Sequence, residues 1–518
     1  MANDPTSELT SRSATDTRFF GHPAGLSTLF FTEMWERFSY YGMRAILLLF
    51  MTTAAAQGGL GWDAAKAGPI YGLYTALVYL TALPGGWLAD RLIGQRRAVL
   101  YGGIIIALGH LSLTFHSMAM FFLGLFLIVV GTGLLKPNIS TMVGSLYTQQ
   151  DQRRDSGFSI FYMGINLGAF LAPLVCGYLA QSEGFKGTLQ NMSFRPESSW
   201  HWGFGAASVG MALGLVQYVL GSRRLGKAGL LTQESRDPEA FRKDLRVFWM
   251  VLGGAVAVLA ALAGLRTSGV LDFTLDGVVE VVGAVLILFP VVYFVFLLTR
   301  PGWTSVERKR MGAIVLFFVF ATLFWAAFEQ AGSTLTLFAE RNTRTSLLGF
   351  DFPSSWFQSV NSFFIIFMLG PFFAWLWIRL GSREPSSPAK FAWGLVFATL
   401  GFIIMIAAAR ASGPEGSQVS PMWLLSVYFV HTIGELCLSP VGLSTMTKLS
   451  PERVVGQMMG VWFLATACGN FLSGQAAGFF ESLPLDKLFG RMTIVGLAFT
   501  VLALVLIRPI KRLMGGVH

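Results

Sequence analysis

The sequence predicts an all-α integral membrane protein of fourteen apolar helices, grouped six, two and six. Three observations predict it. Hydrophobic residues make up 53% of the 518-residue chain and charged residues only 13%, with a mean hydropathy of +0.59. A water-soluble domain carries about 25% charged residues, so this chain has roughly half the charge needed to cover a soluble surface. Apolar runs of about 20 residues, the length that spans a bilayer, recur along the whole chain. The basic residues collect in alternate short loops between those runs. Together these exclude a soluble enzyme and a disordered protein. The runs are continuous rather than alternating, which excludes an outer-membrane barrel. The 58 glycines suit close-packed membrane helices.

The first six segments are read at 26–53, 65–90, 97–115, 119–147, 155–181 and 203–221. A polar linker with Arg223, Arg224, Lys227, Arg236, Arg242, Lys243 and Arg246 follows, then two segments at 247–265 and 277–299. After Arg308, Lys309 and Arg310 come six more, at 312–339, 354–379, 389–410, 421–448, 454–480 and 489–508. The N-terminal stretch before Leu26 is polar and lacks a signal-peptide core, so the first apolar run is expected to direct insertion itself. Cys176, Cys437 and Cys468 all lie within apolar stretches without metal or disulfide spacing, and read as small buried hydrophobes.

Loop charge sets the orientation. Alternate loops, starting from the N-terminal tail, hold nearly three times as many Lys and Arg as the others, so both termini are expected to be cytoplasmic. Both six-segment halves then start inside, as parallel repeats about an axis along the membrane normal. The expected units are an N-terminal bundle over 1–222, a linker with two additional spans over 223–305 and a C-terminal bundle over 306–518. A net charge of +10 would suggest nucleic acid in a soluble chain. Here it sits in membrane-flanking loops, so the expected partner is the lipid bilayer.

Seven charged residues fall well inside apolar segments, away from the loops: Glu33, Glu36, Arg37, Arg44, Lys136, Glu329 and Glu435. Each costs about 2.5 kcal/mol or more at mid-bilayer, so a functional cavity is the expectation. On segment 1, Glu33, Arg37, Tyr40 and Arg44 fall within about 60° of one another at 100° per residue, with Glu36 and Tyr41 flanking them. Such a face must line water or protein. Lys136 is followed by Pro137 midway along segment 4. Glu435 lies between Gly434 and Pro440 on segment 10, the second-half counterpart. A Lys and a Glu at matching depth are expected to form an ion pair across the axis and to serve as a gate. His431 is read as a packing residue rather than a proton site.

The loop G85-G-W-L-A-D-R-L-I-G-Q-R-R97, with the six-plus-six layout, resembles the signature of the major facilitator superfamily, and the echo at R379-L-G-S-R-E-P-S-S-P-A-K390 is weaker. The stretch E33-x-x-E36-R37-F38-x-Y40-Y41-G42 is similar to the segment 1 signature of the proton-dependent oligopeptide transporter family. F158-S-I-F-Y-M-G-I-N-L-G168 resembles that family's segment 5 signature, and LKPNIS, FWAAFEQ, QSVN and GELCLSPVG follow in the family's order. The match runs from about residue 20 to 512. The resemblance implies a major facilitator fold with two six-helix bundles and two extra central helices. It implies that Arg37, Arg44 and Lys136 meet a peptide carboxylate, while Glu435, Asn166 and Asn361 meet its amino group. Tyr41, Tyr79, Trp325 and Trp462 would line side-chain pockets, and Glu33, Glu36 and Glu329, with Lys136 and Glu435, would couple protons. Two departures stand out. Ser362 follows Asn361 where the family usually has Pro, which puts the local kink in question. Gly72 stands where animal members have a His.

The function so implied is proton-coupled symport of di- and tripeptides by alternating access, in the plasma (inner) membrane. No cofactor, nucleic acid or obligatory protein partner is expected, and the protein is expected to be a monomer. Positive groups in one half and negative groups in the other suit a zwitterion. No G-x-x-x-x-G-K-[ST] is found, so the proton gradient is the expected energy source. Transport of another small anion such as nitrate, or of a drug, on the same fold is the alternative reading. A membrane enzyme would need a catalytic or metal cluster that six scattered His do not supply. A channel fits poorly with opposite charges paired at one depth.

Overall fold

The computed structural model describes residues 17–516 apart from 149, 232–236, 270–273, 348 and 414–416. Most of the N-terminal tail and Arg236 of the linker cluster thus lie outside the described residues, as does the Pro440 side chain. Each expected apolar segment coincides with a helix. The N-terminal group is α1 (Ala24–Thr52), α2 (Ala64–Leu80, continued by Ala82–Leu88), α3 (Gln95–Ser112), α4 (Met118–Gly144), α5 (Arg154–Gln181) and α6 (Ser199–Gly221). The linker supplies α7 (Pro238–Thr267) and α8 (Leu275–Thr299). The C-terminal group is α9 (Ser305–Phe328), α10 (Ser354–Leu380), α11 (Ser387–Ala411), α12 (Met422–Leu449), α13 (Val455–Gly478) and α14 (Leu485–Met514). Among the described residues, ten helical runs are long and apolar enough to cross a membrane. α1, α2, α3 and α13 are outside that group.

Local chemistry sets the boundaries. The Asp63 side chain accepts from the Lys66 N–H at the start of α2. Asp237 accepts from Glu239 and Ala240 ahead of α7, with Pro238 at its first position. Thr304 and Glu307 cap α9 reciprocally. Each side chain satisfies backbone donors that a helix start leaves unpaired. Gly94 adopts φ +80 at the turn into α3, a positive φ that glycine reaches without a steric penalty. One departure from an all-α reading is a two-residue antiparallel ladder, Ser346–Leu347 with Phe350–Asp351.

Close helix approach rests on small residues, as in membrane bundles generally. A Cβ on Gly168 would meet the Met34 carbonyl oxygen at 2.2 Å and the Arg37 Cβ at 3.0 Å. The segment 5 signature glycine therefore lets α5 lie directly on the charged helix α1. Gly42 packs against Cys176 from the other side. Across the two groups, Gly72 of α2 faces Gly474 of α13, where an added Cβ would come within 2.7 Å of the Gly474 Cα.

Hydrogen bonds between the two six-helix groups gather near the loops that carry few charges. Gln181 donates to Glu340 at 3.1 Å and to Ser354 at 3.0 Å, and its carbonyl oxygen accepts from the Ser355 N–H at 3.2 Å. Trp356 Nε1 donates to the Leu174 carbonyl at 3.1 Å, and Ser359 to that of Phe170 at 2.7 Å. The Ala64 N–H donates to Glu481 at 3.1 Å. The two groups are therefore stitched together at that face. On the opposite face, Arg96 of the loop motif donates to the carbonyls of Gly226 and Ala228, fixing the first residues after α6. Among the linker helices, α8 packs on α13 through Gly283 against Phe471. α7 buries none of its apolar stretch.

Candidate functional site

The charged face of α1 splits into two buried clusters. In the lower one Arg37 Nε bonds Glu36 and lies 3.2 Å from Glu33 Oε1, all within the same helix. All three side chains are almost fully buried. Two turns further along, Arg44 bonds Glu329 of the C-terminal group and donates from Nε to the Tyr71 hydroxyl at 2.9 Å. Glu329 sits where α9 gives way to a 3₁₀ turn, Glu329–Gly332, before the helix Thr334–Asn342. Non-helical backbone at membrane depth is tolerated where it lines a cavity or is buried in protein. Gly332 makes room for the pair: a Cβ there would meet the Tyr71 hydroxyl at 2.1 Å and Arg44 at 2.8 Å.

Beside this pair lies an interior cavity of about 130 Å³. Tyr41, Arg44, Tyr79 and Asn166 line it from the N-terminal group, and Trp325, Glu329, Asn361 and Glu435 from the C-terminal group. Eight of the expected site residues thus meet in one chamber. Asn361 Nδ2 donates to Glu435 Oε2 and to Thr432 Oγ1, both at 2.9 Å, tying α10 to α12. Asn166 Nδ2 is engaged by the Tyr162 carbonyl at 3.0 Å. Where Ser362 put the local kink in question, a π-helical stretch at Ile365–Leu369 interrupts the α-helical bonding of α10 just after Asn361, one of the features at which helices kink. His431 bonds the Ala398 carbonyl through Nε2 at 3.1 Å, in keeping with a packing role, while also bordering the cavity.

Five expected residues lie outside the cavity wall. Glu33, Glu36 and Arg37 pair among themselves against α5. Lys136 does not form the expected ion pair with Glu435 in this conformation. Its ammonium rests over the Tyr79 ring at 3.8 Å, a cation–π contact, while Glu435 is held by Asn361. Trp462 is the clearest departure. It packs against Gly442 and Phe391 within the C-terminal group, so it belongs to the bundle interior. Three contributors were missed: Tyr71, which holds Arg44, and Tyr162 and Tyr428 on the cavity wall. The tyrosine spacing Y71-G-L-Y74 on segment 2 was the available signal for the first.

The family model described as the POT family matches residues 96–495. The chain belongs to the POT family. It is 45% identical over 501 residues to an uncharacterized transporter, YclF, of Bacillus subtilis, and 41% identical over 511 residues to a peptide transporter of Yersinia enterocolitica, each match covering 96% of both chains. A POT peptide transporter solved with sulfate superposes with a TM-score of 0.86 at 43% identity, covering 99% of this chain and 100% of that one. A POT family transporter solved with 5-aminolevulinic acid gives 0.84 at 36% identity, covering 97% and 99%. The architecture is the major facilitator fold, and this POT protein is a multi-pass membrane transporter.

Proposed function

We propose that the protein is a proton-coupled symporter that imports di- and tripeptides by alternating access. The observation that carries this reading is the cavity itself. It places Arg44 of one helix group opposite Glu329 and Glu435 of the other, between aromatic walls. Positive and negative groups lining one chamber match the ends of a short zwitterion. Those ends are common to all peptides, and tyrosine and tryptophan walls accommodate varied side chains. In this reading the substrate carboxylate takes Arg44, with Lys136 and Arg37 nearby. The amino group takes Glu435, with Asn361 and Asn166 beside it.

Coupling follows from competition for arginine. A protonated Glu329 no longer holds Arg44, so the stitched face loosens and Arg44 becomes available to substrate. Linkage makes the converse hold: substrate on the arginine favours proton binding to the carboxyl. Glu33 and Glu36 compete for Arg37 in the same way. One proton supplies about 2.3 kcal/mol per 100 mV and about 1.4 per pH unit. Together they support roughly a several-hundred-fold gradient, with no cofactor. The bilayer setting proposed is the plasma membrane, with fourteen spans, both termini cytoplasmic, bundles over 1–222 and 306–518 and a monomeric carrier.

Uptake of labelled dialanine into proteoliposomes, with and without an inward proton gradient, tests this. Gradient-dependent accumulation is expected, and equal equilibration in both conditions would reject it. A carrier for another small anion is the second reading, favoured by Arg44 and Lys136. Competition by nitrate but not by dipeptides would select it.

A further inference from the structure

Arg44 and Glu435 account for the charged ends of a bound peptide and leave the peptide bond itself without a protein partner. A secondary amide carries one N–H donor and one carbonyl acceptor. In a closed cavity each needs a protein group, because an unpaired buried donor or acceptor is costly.

Gln358 of α10 is half-buried and borders the cavity. It precedes Asn361 by three residues, so the two amides share a helix face and stand about 4.5 Å apart along the axis. Asn361 is tied to Glu435. Gln358 is tied to the other end: its Nε2 lies 3.5 Å from the carbonyl oxygen of Ala45, the residue after Arg44. α10 thus presents one amide beside the carboxylate and another beside the backbone of the arginine.

The orientation of the Gln358 amide is fixed by its neighbours. Nε2 donates to Thr336 Oγ1 at 3.0 Å. That hydroxyl donates its own hydrogen to the Ala331 carbonyl at 2.7 Å, so toward Gln358 it can only accept. The Ala45 carbonyl is likewise an acceptor alone. Both contacts therefore require the nitrogen on the wall side and exclude the flipped amide. The oxygen, Oε1, is left on the other side, with no partner among the described residues.

We propose that Gln358 Oε1 accepts the peptide-bond N–H of the bound substrate, which makes Gln358 a specificity-determining residue that separates peptides from other zwitterions of similar length. The proposal rests on the peptide symport reading. Thr336 and Ala45 hold the amide in register with Arg44, so the N–H of the C-terminal residue meets Oε1 when the carboxylate is on the arginine. A zwitterion with the same charged ends but no amide N–H leaves Oε1 unpaired in the closed cavity. A site built to hydrogen-bond a substrate N–H discriminates strongly against an analogue that lacks it.

The probe is alanyl-lactate, the ester analogue of dialanine, in which an oxygen replaces the N–H and both charged ends remain. Binding of dialanine and of alanyl-lactate is measured by calorimetry on the purified full-length protein, as wild type, Gln358→Met and Thr336→Val. The wild type is expected to bind dialanine about tenfold or more tightly than the ester. Gln358→Met keeps the side-chain length and removes the acceptor, so dialanine weakens and the two affinities converge. Thr336→Val releases Nε2 from its anchor and gives an intermediate ratio. Equal affinity for the two ligands in the wild type would overturn the proposal before any variant is made. The wild-type ratio in Gln358→Met, or in Thr336→Val where the first variant does not fold, would also overturn it, assigning the N–H to another acceptor. Binding of neither ligand by the wild type would instead reject the peptide reading.

Discussion

Arg44 of α1 bonds Glu329 at the break following α9, so a buried ion pair joins the two helix groups beside the cavity. The Tyr71 hydroxyl accepts a second bond from the same guanidinium at 2.9 Å, using Nε and Nη2 at once. A lysine cannot reproduce that fork. Glu329→Gln is expected to reduce gradient-driven accumulation tenfold or more relative to exchange, a change of about 1.4 kcal/mol. Arg44→Lys is expected to weaken both. Unchanged accumulation by the Glu329→Gln protein would place the coupled proton elsewhere.

Gly72 and Gly474 set how closely α2 and α13 can approach. An added Cβ at Gly72 would come within 2.7 Å of the Gly474 Cα and 2.9 Å of the Phe471 carbonyl oxygen. Overpacking of this kind costs about 1–3 kcal/mol, and here it is levied only on the state in which this face is closed. Gly72→Ala is therefore expected to shift the population toward the state open on the sparsely charged side. A cysteine introduced at Gln181 should then react faster with a membrane-impermeant thiol reagent. Unaltered reactivity would show that the two helices part without cost.

The helices were legible because membrane burial writes each one as a continuous apolar run. Most of the charged site was legible for the converse reason: Glu329, Glu435 and Arg44 stand out where lipid excludes charge. What the sequence left hidden depends on which partner a side chain meets. Lys136 and Glu435 hold matching positions along counterpart segments of the sequence, yet Tyr79 takes the ammonium and Asn361 takes the carboxylate. Trp462 carries the same aromatic signal as Trp325, but only Trp325 borders the cavity. Gly72 read as a missing His. In space it is a helix crossing with no room for a side chain. The role of Tyr71 depends on a bond between residues 27 positions apart, and periodicity does not encode it.

Asn361 holds Glu435 in place through one amide that also reaches Thr432. Asn361→Leu keeps the volume but removes both donated bonds. Leaving a buried acceptor without its donor costs about 1–3 kcal/mol, so the apparent KM for dialanine is expected to rise about tenfold or more. Thr432→Val removes the second contact together with the hydroxyl's own 2.6 Å bond to the Tyr428 carbonyl, leaves the Asn361–Glu435 bond in place and should have the smaller effect. Equal KM in wild type and Asn361→Leu would separate Glu435 from amino-group recognition.

The loop between α4 and α5 holds the start of α1 through a charge-dependent clamp. Arg153 donates to Asp151 from Nε at 3.0 Å and from Nη2 at 2.8 Å, and from Nη1 to the Gly21 carbonyl at 3.0 Å. The Arg153 side-chain hydrogen bonds hold the Asp151 carboxyl below its ordinary value. A lowered folded-state value means that the stabilisation is fully present above the ordinary carboxylate range, near pH 4. It is lost as pH falls through the folded-state value. Hydrogen exchange at residues 17–22 should therefore be slow at neutral pH after correction for intrinsic rates. It should quicken only well below pH 4. Asp151→Asn should give the faster rate at every pH, since the amide neither carries the charge nor accepts both bonds. Equal protection of this segment in the two proteins at neutral pH would show that the chain is held there by other contacts, such as the 2.9 Å bond between His22 and Tyr147.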